Sequence, residues 1–176
     1  MKPAIIQVVG FQNSGKTTVI TKLIQTLKGY GIKTVTIKHH GHGGKPVVAG
    51  EKDSTKHIKA GALASIVEGA GGLLLQAENI ESSLEDQIKL MQHFQPDVIL
   101  IEGYKLKNYP KLLLIRGKED LPLITMVTNI SVILYWEEEY RDYLKQHTEI
   151  PIFHIADDSA INWIAQSINI SVHKID

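Results

Sequence analysis

The sequence predicts an α/β fold of three layers, in which helices cover both faces of a mostly parallel sheet. Apolar strand-like runs alternate with helical patterns along most of the chain, and the first strand leads through a glycine-rich segment into a helix. In the middle of the chain, two runs around four small residues predict an antiparallel hairpin, and therefore a mixed sheet. With 176 residues, 43% of them hydrophobic, the chain is expected to form a single domain, 1–176.

The N-terminal elements form one strand, helix and strand unit. The apolar residues 4–9 predict the first strand, and the run 18–28 predicts a helix that Gly29 helps to close. Residues 32–38 are rich in β-branched side chains and predict a second strand, parallel to the first with a right-handed crossover. The polar, glycine-rich stretch 39–52 has no periodicity and predicts a surface loop.

The middle of the chain predicts a short helix and the hairpin. Asp53-Ser54-Thr55 is a typical helix start, and Gly61 ends the helix that follows. The runs 63–68 and 73–76 flank Gly69-Ala70-Gly71-Gly72, whose small residues suit a tight connection between antiparallel strands. This part of the chain is the antiparallel excursion from the parallel sheet.

The C-terminal half returns to alternation of strands and helices. A helical pattern over 84–94 ends before Pro96, and the run 97–102 that follows predicts a buried parallel strand. Apolar runs rich in branched residues predict the remaining strands, and longer periodic segments predict the remaining helices. The strands are 111–116, 121–128 and 132–136, and the helices are 137–147 and 158–168.

Residues 10–17, Gly10-Phe11-Gln12-Asn13-Ser14-Gly15-Lys16-Thr17, form a complete G-x-x-x-x-G-K-[ST] motif between a strand and a helix. In such a phosphate-binding loop, backbone N–H groups surround a polyphosphate, the lysine reaches its outer phosphates, and the threonine hydroxyl coordinates Mg²⁺. The chain is therefore predicted to bind a nucleotide and Mg²⁺ on a P-loop NTPase-like fold. The guanine-reading segment Asn-Lys-x-Asp is absent, and Thr128-Asn129 is at best a fragment of one, so these residues leave ATP and GTP open.

Acidic partners of the phosphate loop must lie at the carboxyl ends of the parallel strands, where ligands bind in such sheets. Glu102 ends the strand 97–102, whereas Asp97 begins it, and a strand of this length separates them by roughly 17 Å. Glu102 is therefore predicted to hold Mg²⁺ through its water or to orient an attacking water. Asp53 is a second candidate near the metal, although an Asp at a helix start is also an ordinary cap. Lys16, Glu102 and Asp53 are the candidate catalytic residues.

Two groups of basic residues leave alternatives open. His39, His40 and His42 lie within four residues but match no common zinc spacing, so we expect contacts with phosphates or an anionic partner, together with Lys38, or a solvated loop. Arg116 and Arg141 are the only arginines, and each is either an arginine finger or part of a surface ion pair.

Composition excludes several classes of protein. Lys plus Arg and Asp plus Glu both number 19, so no basic surface predicts nucleic acid or an anionic membrane as partner. The chain has no cysteine, which excludes disulfides and thiolate metal sites. No signal peptide and no apolar run of about 18 residues is found, so a soluble, cytoplasmic protein is expected.

Beyond the phosphate loop, three segments make the chain resemble the MobB family, the molybdopterin-guanine dinucleotide biosynthesis adapter proteins. They are Thr36-Ile37-Lys38-His39-His40, Lys52-Asp53-Ser54 followed by Ala60-Gly61-Ala62, and Ile101-Glu102-Gly103-Tyr104-Lys105. Order and spacing match from residue 4 to about 116, and more loosely to the final helix. One departure is the segment 43–49, where the family often carries additional aspartates.

The resemblance implies GTP binding with Mg²⁺, weak GTP hydrolysis, a homodimer, and cooperation with the guanylyltransferase that converts molybdopterin cofactor into its guanine dinucleotide form. It places Thr17, Asp53 and Glu102 near the metal. By the same correspondence, the nucleotide-binding residues are Gly10, Asn13, Ser14, Gly15, Lys16, Thr17 and Thr18. The residues alone also allow an ATP-dependent small-molecule kinase, or a binding module that nucleotide stabilises without physiological hydrolysis.

Overall fold

The computed structural model describes residues 2–39 and 53–173, which fall into two compact units. One unit combines Met1–Gly41 with Ile88–Asp176, and the other is His42–Gln87. The expectation of one domain over 1–176 stays a prediction. No helix in the described part of the chain is both long and apolar enough to cross a membrane.

The elements are named in chain order. The strands are β1 Ala4–Val9, β2 Thr34–Lys38, β3 Ala64–Gly69, β4 Gly72–Ala77, β5 Val98–Glu102, β6 Lys111–Ile115, β7 Ile130–Tyr135 and β8 Ile152–His154. The helices are α1 Lys16–Gly29, α2 Asp53–Lys59, α3 Leu84–Gln92, α4 Leu123–Met126, α5 Glu139–His147 and α6 Asp158–His173.

The first unit is built on a six-stranded sheet with the order β2-β5-β1-β6-β7-β8. Every neighbouring pair in this sheet is parallel. All six carboxyl ends therefore lie at one edge, where the phosphate loop leaves β1. Parallel sheets need cover on both faces, which explains the nearly continuous apolar sequence of β5 and β6.

Alternate residues of the strands supply two hydrophobic layers, one on each face of the sheet. Val8 packs with α1 and α6, whereas its neighbour Val9 packs with α4 and α5. On α1, the buried residues recur at helical spacing and include the fully buried Leu23 and Leu27, each contributing roughly 2 kcal/mol through burial. The predicted three-layer P-loop NTPase-like fold class is confirmed.

The second unit contains α2 and the hairpin of β3 and β4, which is confirmed as antiparallel. Ala70 and Gly71 connect the strands, both with positive φ (49° and 78°), as a tight two-residue hairpin turn requires. The hairpin forms a two-stranded sheet of its own rather than joining the larger one. The expected mixed sheet is therefore corrected to a parallel sheet and a separate antiparallel pair.

The predicted strand over residues 121–128 is wrong. This segment follows a 3₁₀ turn at Lys118–Asp120 and forms the short helix α4. Pro122 directly precedes α4 with helical dihedral angles, because its fixed φ suits a helix start and it cannot donate to a sheet. The three-residue strand β8, which begins after Pro151, was not predicted.

Candidate functional site

The phosphate loop joins β1 to α1 at the carboxyl edge of the sheet. Its backbone has φ near 157° at Gly10, 59° at Asn13 and 91° at Gly15. At Gly10, a Cβ atom would lie 2.6 Å from Ser14 Oγ and 3.0 Å from Leu114 O, so a side chain has no room there. Glycine and asparagine, which tolerate such conformations, stand where the loop needs them.

At Gly15, a Cβ atom would meet the Trp136 ring at 3.1 Å and Ile155 at 3.3 Å, in addition to the strain of positive φ. We expect Gly15→Ala to weaken triphosphate binding, because roughly 1–2 kcal/mol of backbone strain and the crowded ring both act on the loop. Titration with a nucleoside triphosphate measures the affinity, and unfolding by denaturant measures the stability of the variant.

Gly31→Ala is the matched control, since Gly31 has φ of 75° but nothing within 4 Å of its missing Cβ. It should lower stability by about 1 kcal/mol and leave nucleotide affinity unchanged. Parental affinity in Gly15→Ala would contradict the expected crowding of the loop.

Lys16, the first residue of α1, folds its side chain back over the phosphate loop. Its Nζ donates to Gly10 O at 3.1 Å, to Phe11 O, and to Ser14 Oγ at 3.4 Å. Burial lowers the pKa of the Lys16 ammonium, and Glu102 partly opposes this shift. An ammonium held by neutral oxygens in a half-buried place is well suited to exchange them for an anion.

Thr17, Glu102 and Lys38 form a connected polar cluster beside the loop. Thr17 Oγ1 lies 3.2 and 3.1 Å from the two carboxylate oxygens of Glu102. Lys38 Nζ lies 3.2 Å from Glu102 Oε1 and donates to Thr17 Oγ1 at 3.3 Å. The side chain of Glu102 is only 12% exposed, so its charge acts in a largely dry place.

Strand register places Glu102 and Lys38 side by side at the edge of the sheet where α1 begins with Lys16 and Thr17. Val8, Glu102 and Lys38 lie opposite one another on β1, β5 and β2, at the carboxyl edge of each strand. Asp97 lies at the other end of β5, where its Oδ2 accepts a hydrogen bond from Lys33 N at 2.7 Å. Glu102 and Asp97 therefore lie at opposite edges of the sheet, as predicted.

The Thr17 and Glu102 oxygens fit the requirements of Mg²⁺. Two neighbouring ligands of an octahedral Mg²⁺ ion lie about 3.0 Å apart, given metal–oxygen distances near 2.1 Å. The observed 3.1 Å between Thr17 Oγ1 and Glu102 Oε2 matches that spacing. Mg²⁺ usually binds through one or two protein oxygens plus phosphates and waters, and Thr17 and Glu102 supply that number.

Gln7, on β1, supports the turn that follows Glu102. Its side chain is fully buried, and Nε2 donates to Gly103 O at 3.1 Å and to Tyr104 O at 2.8 Å. Gly103 has φ of 94°, and a Cβ there would lie 3.1 Å from that of His39. The sequence reasoning overlooked Gln7, although a single polar residue in an apolar strand was a usable signal.

The two arginines have different surroundings. Arg116 Nη1 donates to the carbonyl of Asn13 in the phosphate loop at 3.1 Å. Arg141 lies on α5, and its Nη1 is 3.8 Å from Oε2 of Glu138, the residue just before that helix. Of the two alternatives for Arg141, an arginine finger or a surface ion pair, this contact supports the ion pair. Trp136, which the sequence reasoning did not consider, also contacts the loop, since its Nε1 donates to Ser14 O at 3.0 Å.

The remaining predicted residues are Thr18, Asp53 and the histidines. Thr18 is exposed in the first turn of α1. Asp53 begins α2 in the second unit, as predicted, and its Oδ1 lies 2.9 Å from Lys56 Nζ. A metal role for Asp53 stays a prediction. His40 and His42 belong to the predicted loop, which, apart from His39, lies outside the described residues.

Comparison of the sequence with known protein families points to one family. Residues 5–135 match the family model MobB, described as molybdopterin guanine dinucleotide synthesis protein B. A probable molybdopterin-guanine dinucleotide biosynthesis adapter protein of Bacillus subtilis (strain 168) is 40% identical over 165 residues, 93% of this chain and 92% of that protein.

Solved structures agree with the sequence comparison. The crystal structure of Bacillus subtilis MobB has a TM-score of 0.79 and 38% identity, covering 93% of this chain and 96% of that chain. The MobB homolog from Bacillus stearothermophilus has a TM-score of 0.75 and 30% identity, covering 94% and 98%. The match over most of the sequence and the shared fold together show that this chain belongs to the MobB family.

Proposed function

We propose that this chain binds GTP with Mg²⁺ at the phosphate loop and acts as an adapter in molybdopterin guanine dinucleotide biosynthesis. The observation that carries the proposal is the contact of Thr17 with Glu102 directly beside Lys16. It joins the hydroxyl of the motif to a carboxylate at the spacing of two neighbouring Mg²⁺ ligands. The adapter role follows from family membership and from the description of the relatives.

Each residue of the cluster has a distinct task in binding. The ammonium of Lys16 leaves the carbonyls of Gly10 and Phe11 and contacts the outer phosphates. Thr17 and Glu102 supply the hydroxyl and carboxylate oxygens for Mg²⁺, either directly or through water. Bound Mg²⁺ neutralises charge on the phosphates and so assists hydrolysis.

The contacts of Arg116 and Lys38 support slow hydrolysis. Arg116 donates to the carbonyl of Asn13, which holds it against the protein side of the loop. Lys38 is paired with Glu102 at 3.2 Å. An arginine finger accelerates GTP hydrolysis by about 10³–10⁵ in other GTPases. In the described part of the chain Arg116 is engaged with the phosphate loop and Arg141 with Glu138, which supports the proposal of weak turnover.

At the level of the pathway, the chain works as a homodimer in the cytoplasm together with the guanylyltransferase that uses molybdopterin cofactor. The relatives' names support the pathway and the adapter role. Adding the chain to purified guanylyltransferase that already holds GTP and molybdopterin cofactor should increase the yield of guanine dinucleotide cofactor. An unchanged yield across a range of chain concentrations contradicts the assistance, and sedimentation equilibrium tests the dimer.

Nucleotide titration calorimetry tests the binding proposal. We expect GTP to bind more tightly than ATP, and Mg²⁺ to strengthen triphosphate binding more than diphosphate binding, because the outer phosphate shares the metal. A clear preference for ATP removes the guanine assignment. Detection of a phosphorylated small molecule in a metabolite screen with ATP would support the kinase alternative instead.

A further inference from the structure

The side chains of Trp136 and Arg116 donate hydrogen bonds to backbone carbonyls of the phosphate loop. Trp136 directly follows β7, and its Nε1 donates to the carbonyl of Ser14 at 3.0 Å. Arg116 directly follows β6, and its Nη1 donates to the carbonyl of Asn13 at 3.1 Å. Consecutive carbonyls of the loop are thus fixed by the ends of two neighbouring strands.

Planarity of the peptide unit gives these bonds a consequence for the other side of the loop. In a trans peptide the C=O and the following N–H point in opposite directions. When the carbonyls of Asn13 and Ser14 are held outward, the N–H groups of Ser14 and Gly15 point away from Arg116 and Trp136, and that of Ser14 donates to Phe11 O within the loop at 3.4 Å. Lys16 Nζ bonds to Gly10 O and Phe11 O, which the two clamping side chains leave free.

Trp136 is itself firmly held. Its backbone N donates to Ile115 O at 3.0 Å, and its carbonyl accepts from His154 Nε2 at 2.6 Å. Its ring lies so near Gly15 that a Cβ atom there would be 3.1 Å away. The backbone of Trp136 is therefore anchored to both neighbouring strands, and its ring packs against the loop.

Arg116 is anchored by the buried Asp120. Oδ2 of Asp120 accepts from the backbone N of Arg116 at 2.7 Å and of Gly117 at 2.9 Å. Asp120 is only 2% exposed, so these two hydrogen bonds are shielded from water. The guanidinium of Arg116 also lies over the Trp136 ring, 5.9 Å from its centroid. The two clamping side chains thus support each other.

We propose that Trp136 and Arg116 are positioning residues that orient the peptide planes of the phosphate loop for triphosphate binding. The inference rests on the proposed nucleotide binding at this loop. A loop with fixed peptide planes loses less conformational freedom when the phosphates bind, so the clamp strengthens affinity without contacting the ligand. Arg116 therefore acts through the loop and not as an arginine finger.

The chain offers matched controls, because it contains two tryptophans and two arginines. Trp136→Phe keeps an aromatic ring but removes the N–H donor, and Trp163→Phe makes the same change on α6. Arg116→Met removes the guanidinium and Arg116→Lys keeps a donor, whereas Arg141→Met changes only the surface pair with Glu138.

Calorimetry with GTP and Mg²⁺ is the first test. We expect about fivefold weaker binding for Trp136→Phe and about tenfold for Arg116→Met, the usual worth of one hydrogen bond. Arg116→Lys should recover part of the loss, and both controls should bind like the parent. Parental affinity in both Trp136→Phe and Arg116→Met overturns the clamp. Loss of binding in Lys16→Ala would show in the same experiment that GTP does bind at the phosphate loop, so that the clamp can fail while the nucleotide site stands.

Two readouts separate positioning from a general loss of structure. In Trp163→Phe the remaining Trp136 should change its emission on GTP addition, whereas in Trp136→Phe the remaining Trp163 should not. Without nucleotide, hydrogen exchange of the Ser14 and Gly15 amides should be faster in both clamp variants than in the parent. Unchanged exchange overturns the proposal even if a variant is less stable. A parent that binds no triphosphate overturns both this proposal and the proposed function.

Discussion

Lys16→Ala is expected to weaken GTP binding more than about hundredfold while leaving the fold unchanged. Hydrogen bonds to charged groups contribute about 1.5–3 kcal/mol each, and the ammonium can donate at least two of them to phosphate oxygens. Two such bonds correspond to a factor of about 100 or more in Kd. Calorimetry with GTP and Mg²⁺ measures the loss directly.

The fold should tolerate this change because the ammonium of Lys16 bonds to oxygens of its own loop and not to the hydrophobic core. Burial lowers the pKa of its ammonium, so the folded protein holds the proton less tightly than the unfolded chain does. Lys22→Ala is the control on the same helix, since Lys22 forms an exposed pair with Asp158 at 3.3 Å. Equal GTP affinity in Lys16→Ala and the parent would refute the phosphate-loop assignment.

Glu102→Gln should abolish most of the benefit of Mg²⁺ and reduce phosphate release by about tenfold to hundredfold. The amide keeps the shape and can accept from Thr17, but it removes the negative charge that Mg²⁺ and an attacking water require. Titration of GTP binding against Mg²⁺ and a phosphate-release assay measure the two effects separately. A loss confined to release indicates that Glu102 orients water, and a loss of both indicates a metal role.

Asp97→Asn is the matched control, because it neutralises an acid at the opposite end of the same strand. Asp97 caps the backbone of Lys33 there, so its variant should lose some stability but retain Mg²⁺ dependence. Slow phosphate release that is unchanged in Glu102→Gln, with intact binding, contradicts a dedicated catalytic acid. The protein is then a nucleotide-stabilised binding module.

The sequence was sufficient to predict that Glu102 and Asp97 lie at opposite edges of the sheet. That prediction depends only on strand direction, because parallel strands place their carboxyl ends at one edge. The register of β2 against β5 puts Lys38 directly opposite Glu102. The phosphate loop was equally accessible, since its local motif fixes the strand before it and the helix after it.

Short apolar segments were the main source of error in predicting the fold. Residues 121–128 contain few polar residues, and a run of this kind has no period that separates a buried strand from a buried helix. Pro122 decided the outcome in favour of α4. Strand β8 has only three residues and gives almost no pattern.

The site prediction lacked the contacts that Trp136 and Arg116 make with the phosphate loop, because these residues are far from the loop in the sequence. Trp136 and Ser14 are joined by a hydrogen bond across 122 positions, and no local pattern connects them. Arg116 was noticed as one of two arginines, but its partner is a backbone carbonyl, which is present in every residue. Side-chain contacts with a loop backbone therefore become visible only in three dimensions.

The central place of β1 also affects how the protein is made. Ala4 pairs with Val98, and Gln7 pairs with Lys111, so both neighbours of the first strand are synthesised long after it. At roughly 5–20 residues per second, the nascent β1 waits on the order of ten seconds for its first partner. During that time an apolar strand with two open edges leaves the ribosome. Slow assembly of the core, and a period in which chaperones can bind this strand, follow from the strand order alone.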